Sequence, residues 1–362
     1  MSAPRCRQRA PGRRRERGVA LLIALILVAL AAILATKLTF DGWLERRRTI
    51  GILATEQAFH FGLGAEALAA DVLSQSAQGV QQISPNGQSS ASSSSSSSTT
   101  QPSNPNQVTL AQPWAQPTQP LPITPQDDPE GEPIGTLQGA LEDMQGRFNL
   151  NNLGHIIVQN GQQIQDPQPL QQFQRLLVSV GLEPRWAGIA RDWIDADDQP
   201  GQPDGAEDSV YTSQTPPYRT GNWPMMSPSE LMNMPGFGAD RYRKIAPYVT
   251  ALPTATATIN VCTAPALVLE SLADNLSGEY SGSPEVLVNG RKTGCFPDVP
   301  TFKNVLGPQV AAQIASRFSD TSSYFRLTTR VTLGTTEFTL YSLLYRGSGG
   351  KVTPLLRTFG TL

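Results

Sequence analysis

The sequence is poor in the residues that enzymes most often use for chemistry. Its 362 residues include three cysteines and two histidines. It contains no HExxH, CxxC or phosphate-loop motif, and no serine or cysteine stands in a nucleophile-elbow context. His60 falls in a predicted helix and His155 in a predicted loop, where a surface role and a turn role account for them. These absences argue against an enzyme.

A surplus of basic charge is also missing from most of the chain. The formal net charge is −2, although the first eighteen residues alone contribute +6 through seven arginines and Glu16. The remaining residues therefore carry −8. Because an acidic chain repels the phosphate backbone, we expect no nucleic-acid partner.

The sequence does contain a basic stretch that is followed directly by an apolar one. The arginines end at Gly18, and residues 19–35 form an uninterrupted apolar run. Such a pair directs a chain to the membrane, with the arginines left in the cytoplasm. The run can be a cleaved secretory signal, a plain membrane anchor, or a retained helix that is cut between Gly18 and Val19. No A-x-A site ends the run, which disfavours the first interpretation.

A one-sided stripe predicts that the helix continues beyond the membrane. Lys37 and Trp43 suit a membrane interface. Further on, mostly apolar residues recur at three- and four-residue steps, as in a helix with one buried face: Ile50, Leu53, Ala54, Gln57, Ala58, Phe61, Ala65, Leu68 and Val72. We therefore predict a helix of about 55 residues, with its membrane-spanning part at 19–40 and its periplasmic part at 41–78.

Residues 79–133 are predicted to form a disordered linker without chemistry. Residues 89–100 are nearly pure serine and threonine, and residues 102–133 are rich in proline and glutamine. Such a segment has too little apolar surface to offset the entropy lost on ordering it.

The rest of the chain combines strands and helices in the pattern of an α+β fold. Residues 134–168 contain a strand that runs into a polar turn at 146–153. Residues 169–318 are rich in helical signals, which include helices over 263–276 and 308–318 and a capping box at Ser227 and Glu230. Their turn at 235–238 resembles a helix-hairpin-helix turn, which we interpret as structural. Residues 319–362 are predicted to form the C-terminal strands: side chains alternate apolar and polar over 325–333, the chain turns at 334–335 and returns over 336–345 as a β-hairpin, and 352–359 is a possible next strand. The helical block is therefore predicted to be an insertion into a sheet.

The three cysteines divide between the two sides of the membrane. Cys6 lies in the leader, whereas Cys262 and Cys295 lie on the far side, where disulfides persist. A bridge between them would close a loop of about 34 residues and stabilise the fold by roughly 4 kcal/mol in the chain-entropy model. The alternative is two unrelated buried thiols. We favour the bridge because two free thiols are unusual in an oxidising compartment.

The best candidate for a binding site is an acidic loop at 192–208, which holds seven acidic side chains within 17 residues. Like charges at this density repel one another unless a cation or solvent screens them. Oxygen ligands from a loop rich in glycine and proline suit Ca²⁺, which accepts about six to eight of them in loose geometry. The spacing is not that of an EF-hand. The alternative is a solvated loop that caps helix ends.

Several of these features resemble the K-type minor pseudopilins of type II secretion systems. The basic leader that ends in glycine resembles type IV prepilin leaders. Ile23 stands at the fifth position after it, where most prepilins carry glutamate. The other matches are QGRFNLNNL at 145–153, DWIDADD at 192–198, GAEDSVY at 205–211, and INVCTAP at 259–265, in which a cysteine replaces the family's asparagine.

The resemblance implies a pilin-like fold. In this fold a long N-terminal transmembrane helix packs on an antiparallel β-sheet, which carries a large inserted helical domain of helix-hairpin-helix or SAM-like type. The resemblance also implies that prepilin peptidase cleaves between Gly18 and Val19 and that the new Val19 amine is methylated.

The resemblance further implies a structural calcium ion in the acidic loop. On that basis we expect Asp195, Asp197, Glu207 and Asp208 to be its ligands, with Asp198 and Asp204 as secondary candidates. Backbone carbonyls would complete the coordination shell.

The implied function is assembly rather than catalysis. The chain would be anchored in the inner membrane by one helix, with its folded part in the periplasm at the tip of a pseudopilus. Its partners would be the I- and J-type minor pseudopilins, the prepilin peptidase and the inner-membrane platform of the secretion system. Because Ile23 cannot pair with the N-terminal amine of a neighbour, the chain is expected to end a fibre rather than repeat in it.

Two alternatives remain open at this point. One is a membrane-anchored, calcium-stabilised binding protein that joins no fibre. The other is a periplasmic hydrolase that uses the carboxylates around Asp197.

Overall fold

The computed structural model describes residues 17–77, 106–125, 128 and 130–360. Leader residues 1–16, including Cys6, and the serine-rich part of the predicted linker lie outside the described residues. The chain divides into two compact units, which meet between Gln57 and Ala58.

The elements follow one another in blocks. The α-helices are α1 (Arg17–Ala77), α2 (Pro167–Ser179), α3 (Trp186–Ile194), α4 (Asp208–Tyr211), α5 (Gly238–Ile245), α6 (Ala266–Glu270), α7 (Pro284–Arg291), α8 (Val299–Leu306) and α9 (Pro308–Gln313). The strands are β1 (Leu121–Ile123), β2 (Gly135–Asp143), β3 (Phe148–Asn149), β4 (Ile156–Gln159), β5 (Gln162–Gln165), β6 (Val249–Thr250), β7 (Ile259–Asn260), β8 (Phe318–Ser319), β9 (Tyr324–Leu333), β10 (Thr336–Arg346) and β11 (Val352–Phe359).

The first unit contains the apolar part of α1. By length and composition this helix can cross a membrane. The side chains of residues 21–50 are all exposed, as a lipid-facing segment requires. Gly18 and Val19 lie in the first turn of α1, and Ile23 is 51% exposed one turn further on.

In the second unit, a five-stranded antiparallel sheet has the order β1-β2-β9-β10-β11. Apolar and polar side chains alternate along β9, so Phe325 and Leu327 are buried on the face that packs against Ala69 and Leu73 of α1. Side chains return to the same face every 2.0 residues in a strand and about every 3.6 residues in a helix, so one face of each element can be apolar and the two faces can share a core. The predicted α+β, pilin-like fold is confirmed.

The helical domain lies between β2 and β9, so it interrupts the sheet in sequence. Its core is larger than that of the sheet, and Phe148 stacks on Phe173 with 5.2 Å between ring centroids. The parallel two-residue pairs β3–β6 and β7–β8 connect its segments.

Several predicted boundaries are wrong. The segment 263–276, predicted as one helix, is a short helix, α6, followed by a 3₁₀ turn at Asp274–Leu276. The helix predicted over 308–318 ends at Gln313. Helices α7 and α8 were not predicted, because eight residues are too few for an apolar period to stand out.

The prediction of a disordered linker over 79–133 is wrong for residues 106–125. Val108, Trp114 and Ile123 are buried there, and the Trp114 ring lies edge-on to Phe325 at 5.4 Å. The backbone N–H of Val108 also donates to the Asp320 carbonyl (2.8 Å). The average composition suggested disorder. A few apolar side chains are nevertheless enough to order the segment, because each of them is buried in a core that other segments have formed.

The sequence QGRFNLNNL forms a buried polar support rather than an exposed turn. Asn149, Asn151 and Asn152 are at most 3% exposed. The Asn151 side chain accepts from the Met225 N–H (2.7 Å) and donates to the Met225 carbonyl (2.9 Å). These amides replace the backbone partners that an irregular buried segment would otherwise lack.

A buried carboxylate at the end of β2 fixes the helical domain to the sheet. Asp143 Oδ2 accepts hydrogen bonds from Asn260 Nδ2 (2.9 Å), Thr263 Oγ1 (2.7 Å) and Ser322 Oγ (2.6 Å). Asn260 and Thr263 belong to the INVCTAP motif, so this motif joins the two layers. Cys262 of the same motif forms a disulfide bond with Cys295, with 4.5 Å between their Cα atoms.

Glu66 is the main polar contact between α1 and the sheet. It is 6% exposed, accepts from Ser342 Oγ (2.7 Å), and binds the Arg357 guanidinium through both oxygens (2.9 and 2.7 Å). Burial alone would raise the pKa of Glu66, but the hydrogen bonds from Arg357 and Ser342 outweigh burial and lower it.

We therefore expect Glu66→Ala to destabilise the second unit by about 3 kcal/mol, because it leaves Ser342 and Arg357 without their partner. Asp71→Ala is the matched control, since Asp71 is exposed on the same helix. Thermal unfolding followed by circular dichroism measures both variants. Equal melting temperatures for the two would show that Glu66 does not fix α1 to the sheet.

Candidate metal centre in the acidic loop

The loop that follows α3 brings three carboxylates together. Asp195, Asp197 and Glu207 each offer one oxygen, and these oxygens lie within 4.8 Å of one another. Asp195 directly follows the last residue of α3, and Glu207 directly precedes α4. The two helix ends thus fix both sides of the site.

Asp192 closes the loop from inside. Its side chain on α3 is fully buried, and Oδ2 accepts from the backbone N–H groups of Gly201 (2.8 Å) and Ala206 (3.0 Å). A side chain at Gly205 would overlap this carboxylate, so only glycine fits at this position of the loop. Asp192 therefore holds the loop in the shape that places Glu207 beside Asp195.

The cluster leaves carboxylate oxygens without hydrogen-bond donors. Glu207 is 2% exposed, and neither of its oxygens has a partner among the described residues. Asp195 Oδ1 also has none there, although Oδ2 accepts from Gln165 Nε2 (2.7 Å). A buried carboxylate without donors is costly, and a cation bound by these oxygens removes that cost.

The electrostatics agree with the geometry. Burial, together with the repulsion of the neighbouring carboxylates, raises the pKa of Glu207 to about 7 and that of Asp195 to about 6. Oxygen-only donors in an irregular loop are the ligand set that Ca²⁺ prefers, with backbone carbonyls and water to complete the shell. The residues present therefore fit a calcium ion.

The structure does not bring the other three predicted ligands into this cluster. The prediction that Asp208 is a calcium ligand is wrong, because its side chain has other partners. Its Oδ1 accepts from the Thr220 N–H and Oγ1 (both 3.0 Å), and its Oδ2 lies 3.5 Å from Arg219. Asp198 Oδ1 accepts from Asn222 Nδ2 (3.1 Å), and Asp204 packs beside Gly188. Asp208 adjoins Glu207 in sequence, but it is the first residue of α4, and its side chain therefore points away from the cluster.

The sequence argument missed the supporting residues Asp192 and Gln165. A signal for Asp192 was available, because it stands three residues after Ile189 and next to Trp193 on the buried stripe of α3. A carboxylate on an apolar stripe needs buried donors. Gln165 gave no signal, because it lies 30 residues from Asp195 on a separate hairpin.

The family comparison agrees with the fold. A family model described as type II secretion system (T2SS), protein K matches residues 146–254. That range contains the buried asparagines and the whole acidic loop.

Similar proteins extend the match to nearly the whole chain. A type II secretion system protein K from Pectobacterium carotovorum subsp. carotovorum is 30% identical over 365 residues, which cover 96% of this chain and 98% of that protein. Proteins of the same description from Pseudomonas aeruginosa (31% over 357 residues; 96% and 94% covered) and Klebsiella pneumoniae (36% over 255 residues; 69% and 67% covered) are also similar.

A solved structure shares the fold. A chain in the crystal structure of the GspK-GspI-GspJ complex from enterotoxigenic Escherichia coli superposes with a TM-score of 0.68 at 24% identity. The match covers 87% of this chain and all of that one. Since the sequence identity extends from end to end of known relatives, this chain belongs to the type II secretion system protein K family, the K-type minor pseudopilins.

Proposed function

We propose that this chain ends the pseudopilus of a type II secretion system, in a tip complex with the I- and J-type minor pseudopilins. The observation that carries the proposal is that the sequence match covers 98% of the length of a protein K relative and that the fold is shared as well. The related fold was solved in a complex with GspI and GspJ, which makes their counterparts the natural partners here.

Two features of the chain support the end of a fibre over its shaft. Ile23 offers no carboxylate to a neighbour's N-terminal amine, so the charge pair that offsets burial in lipid is missing. The helical domain between β2 and β9 exceeds the sheet in size, and its bulk opposes regular stacking of identical subunits.

The membrane part of the proposal concerns processing and location. The arginines before Gly18 would stay in the cytoplasm, and the prepilin peptidase would cut between Gly18 and Val19 and methylate the Val19 amine. The apolar part of α1 would then remain in the inner membrane beside the secretion platform, with the second unit in the periplasm. In this arrangement the chain acts by assembly and is not an enzyme.

Purification from native membranes tests the tip complex. We expect the full-length chain to co-purify with the I- and J-type pseudopilins in equal amounts, and we expect export to stop when the chain is deleted. A chain that elutes alone, in cells whose export survives its deletion, would support the membrane-anchored binding protein instead.

The acidic loop supports a structural calcium ion held by Asp195, Asp197 and Glu207 as part of the same proposal. Calcium would neutralise three converging carboxylates and fix the ends of α3 and α4. The role assigned to the ion is stability of the helical domain.

The raised pKa of Glu207 predicts an unusual pH dependence for protein stripped of cations. The folded state holds this proton up to about pH 7, whereas an unfolded glutamate releases it near 4.5. Unfolding therefore releases a proton in this window, and the contribution of Glu207 to stability falls as the pH rises from about 4.5 to 7.

The melting temperature of resin-stripped protein at pH 5 and pH 7.5 measures this effect. We expect Glu207→Gln to lose less stability than the wild type between the two values, because the amide stays neutral. Parallel curves for the two proteins would contradict the raised pKa.

A further inference from the structure

Arg291, at the end of α7, is a buried cation without an acidic partner among the described ion pairs. It is 7% exposed, and burial lowers its pKa to about 10, so it remains charged at neutral pH. Its hydrogen bonds go to backbone carbonyls, with Nε donating to Phe296 O (2.7 Å) and Nη2 to Val261 O (2.9 Å). A buried charge must be hydrogen-bonded, and these two carbonyls meet that need.

The two carbonyls belong to the neighbours of the bonded cysteines. Val261 precedes Cys262, and Phe296 follows Cys295. In the part of the chain that the structure describes, no other hydrogen bond joins residues 260–264 to residues 289–297. One guanidinium is thus the polar connection between the two cysteine segments. A side chain at Gly290 would overlap the Phe296 ring, so this glycine lets the second segment close on α7.

The two cysteines have different surroundings. Cys262 is fully buried, and its N–H donates to Asn260 Oδ1 (3.0 Å), while the Val261 N–H donates to the Ser319 carbonyl (2.9 Å). That segment is held in the core of the helical domain. Cys295 is partly exposed and lies in a segment whose position depends on Arg291. An external oxidant can therefore reach Cys295 and not Cys262.

We propose that Arg291 is a positioning residue for the disulfide, which holds the two thiols side by side in the reduced protein before any bond forms. With glutathione disulfide as oxidant, the Cys295 thiolate attacks it and releases one glutathione thiolate. The Cys262 thiolate then attacks the Cys295 sulfur of the mixed disulfide and releases the second. Two electrons pass from the cysteines to glutathione disulfide, and the two thiol protons go to solvent.

Redox titration of the full-length protein against glutathione, read by thiol trapping and mass spectrometry, tests the proposal. It yields the effective concentration of the two thiols. Arg291→Met removes both hydrogen bonds at similar length, and we expect it to lower the effective concentration at least about tenfold, the factor that one hydrogen bond to a charged group provides. Lys292→Met is the matched control on an exposed neighbour and should stay within about twofold. An unchanged value for Arg291→Met would overturn the proposal.

Hydrogen exchange on the reduced wild type decides the matter if Arg291→Met fails to fold. We expect the amides of residues 290–297 to stay protected after reduction, because the guanidinium still joins the two segments. Exchange as fast as in an unfolded chain would mean that the disulfide itself positions the loop, and the proposal would fail.

Discussion

We expect that stripping the protein of cations lowers its melting temperature by about 10 °C at pH 7.5 and that added calcium restores it. The size follows from mass action, because calcium at about a thousand times its dissociation constant stabilises the folded state by roughly 4 kcal/mol. A domain of this size gains about 2 to 4 °C per kcal/mol. Metal-free protein keeps three converging carboxylates and the two unpartnered oxygens of Glu207.

Variants separate the cluster from the rest of the acidic loop. Glu207→Gln and Asp197→Asn should abolish the calcium response, whereas Asp208→Asn should keep it although it removes the charge that faces Arg219. Asp208 is the sharpest control because it adjoins Glu207 in sequence. Differential scanning calorimetry with and without calcium measures the response. A calcium response that is lost in Asp208→Asn and kept in Glu207→Gln would refute the three-carboxylate site.

We expect Gly18→Val to prevent removal of the leader and to abolish export. The proposed cut lies between Gly18 and Val19, and a β-branched side chain at the first of these positions obstructs the approach of a peptidase to the bond. The uncut chain keeps seven arginines on the cytoplasmic side, so its helix cannot leave the membrane with a growing fibre. Mass spectrometry of the N-terminus reads processing, and the activity of exported proteins in the medium reads function.

Gly42→Val is the matched control for this variant. Gly42 lies on the same helix, and a side chain there would meet nothing within 4 Å. It should therefore be processed normally. A Gly18→Val protein that is trimmed at Val19, or that supports full export with its leader attached, would contradict the fibre-tip proposal and favour an anchored protein outside any fibre.

Features that depend on spacing along the chain were accessible from the sequence. The apolar period of α1, the alternation in β9 and β10, and the capping box of Ser227 and Glu230 are all present in the structure. Each needs only neighbours within a few residues, because helix and strand geometry repeat over short distances. The short helices α7 and α8 gave too little period to detect.

The acidic loop shows where sequence arguments end. A dense group of carboxylates pointed to a cation, but the structure selected Asp195, Asp197 and Glu207 and turned Asp208 towards Thr220. Adjacency in sequence does not show where two side chains point, because successive side chains in a helix are rotated by about 100° about its axis. The start of α4 at Asp208 therefore decided which carboxylates converge.

The sequence alone determined the fold class, the membrane-spanning helix, the family and the presence of an acidic loop, because these follow from local period, composition and motif. Tertiary structure alone decided that Val108, Trp114 and Ile123 order a segment of linker-like composition, and that Arg291 joins the two cysteine segments. Both depend on contacts between residues far apart in the chain. The free energy of such contacts comes from surfaces and dipoles that exist only after the other segments have folded.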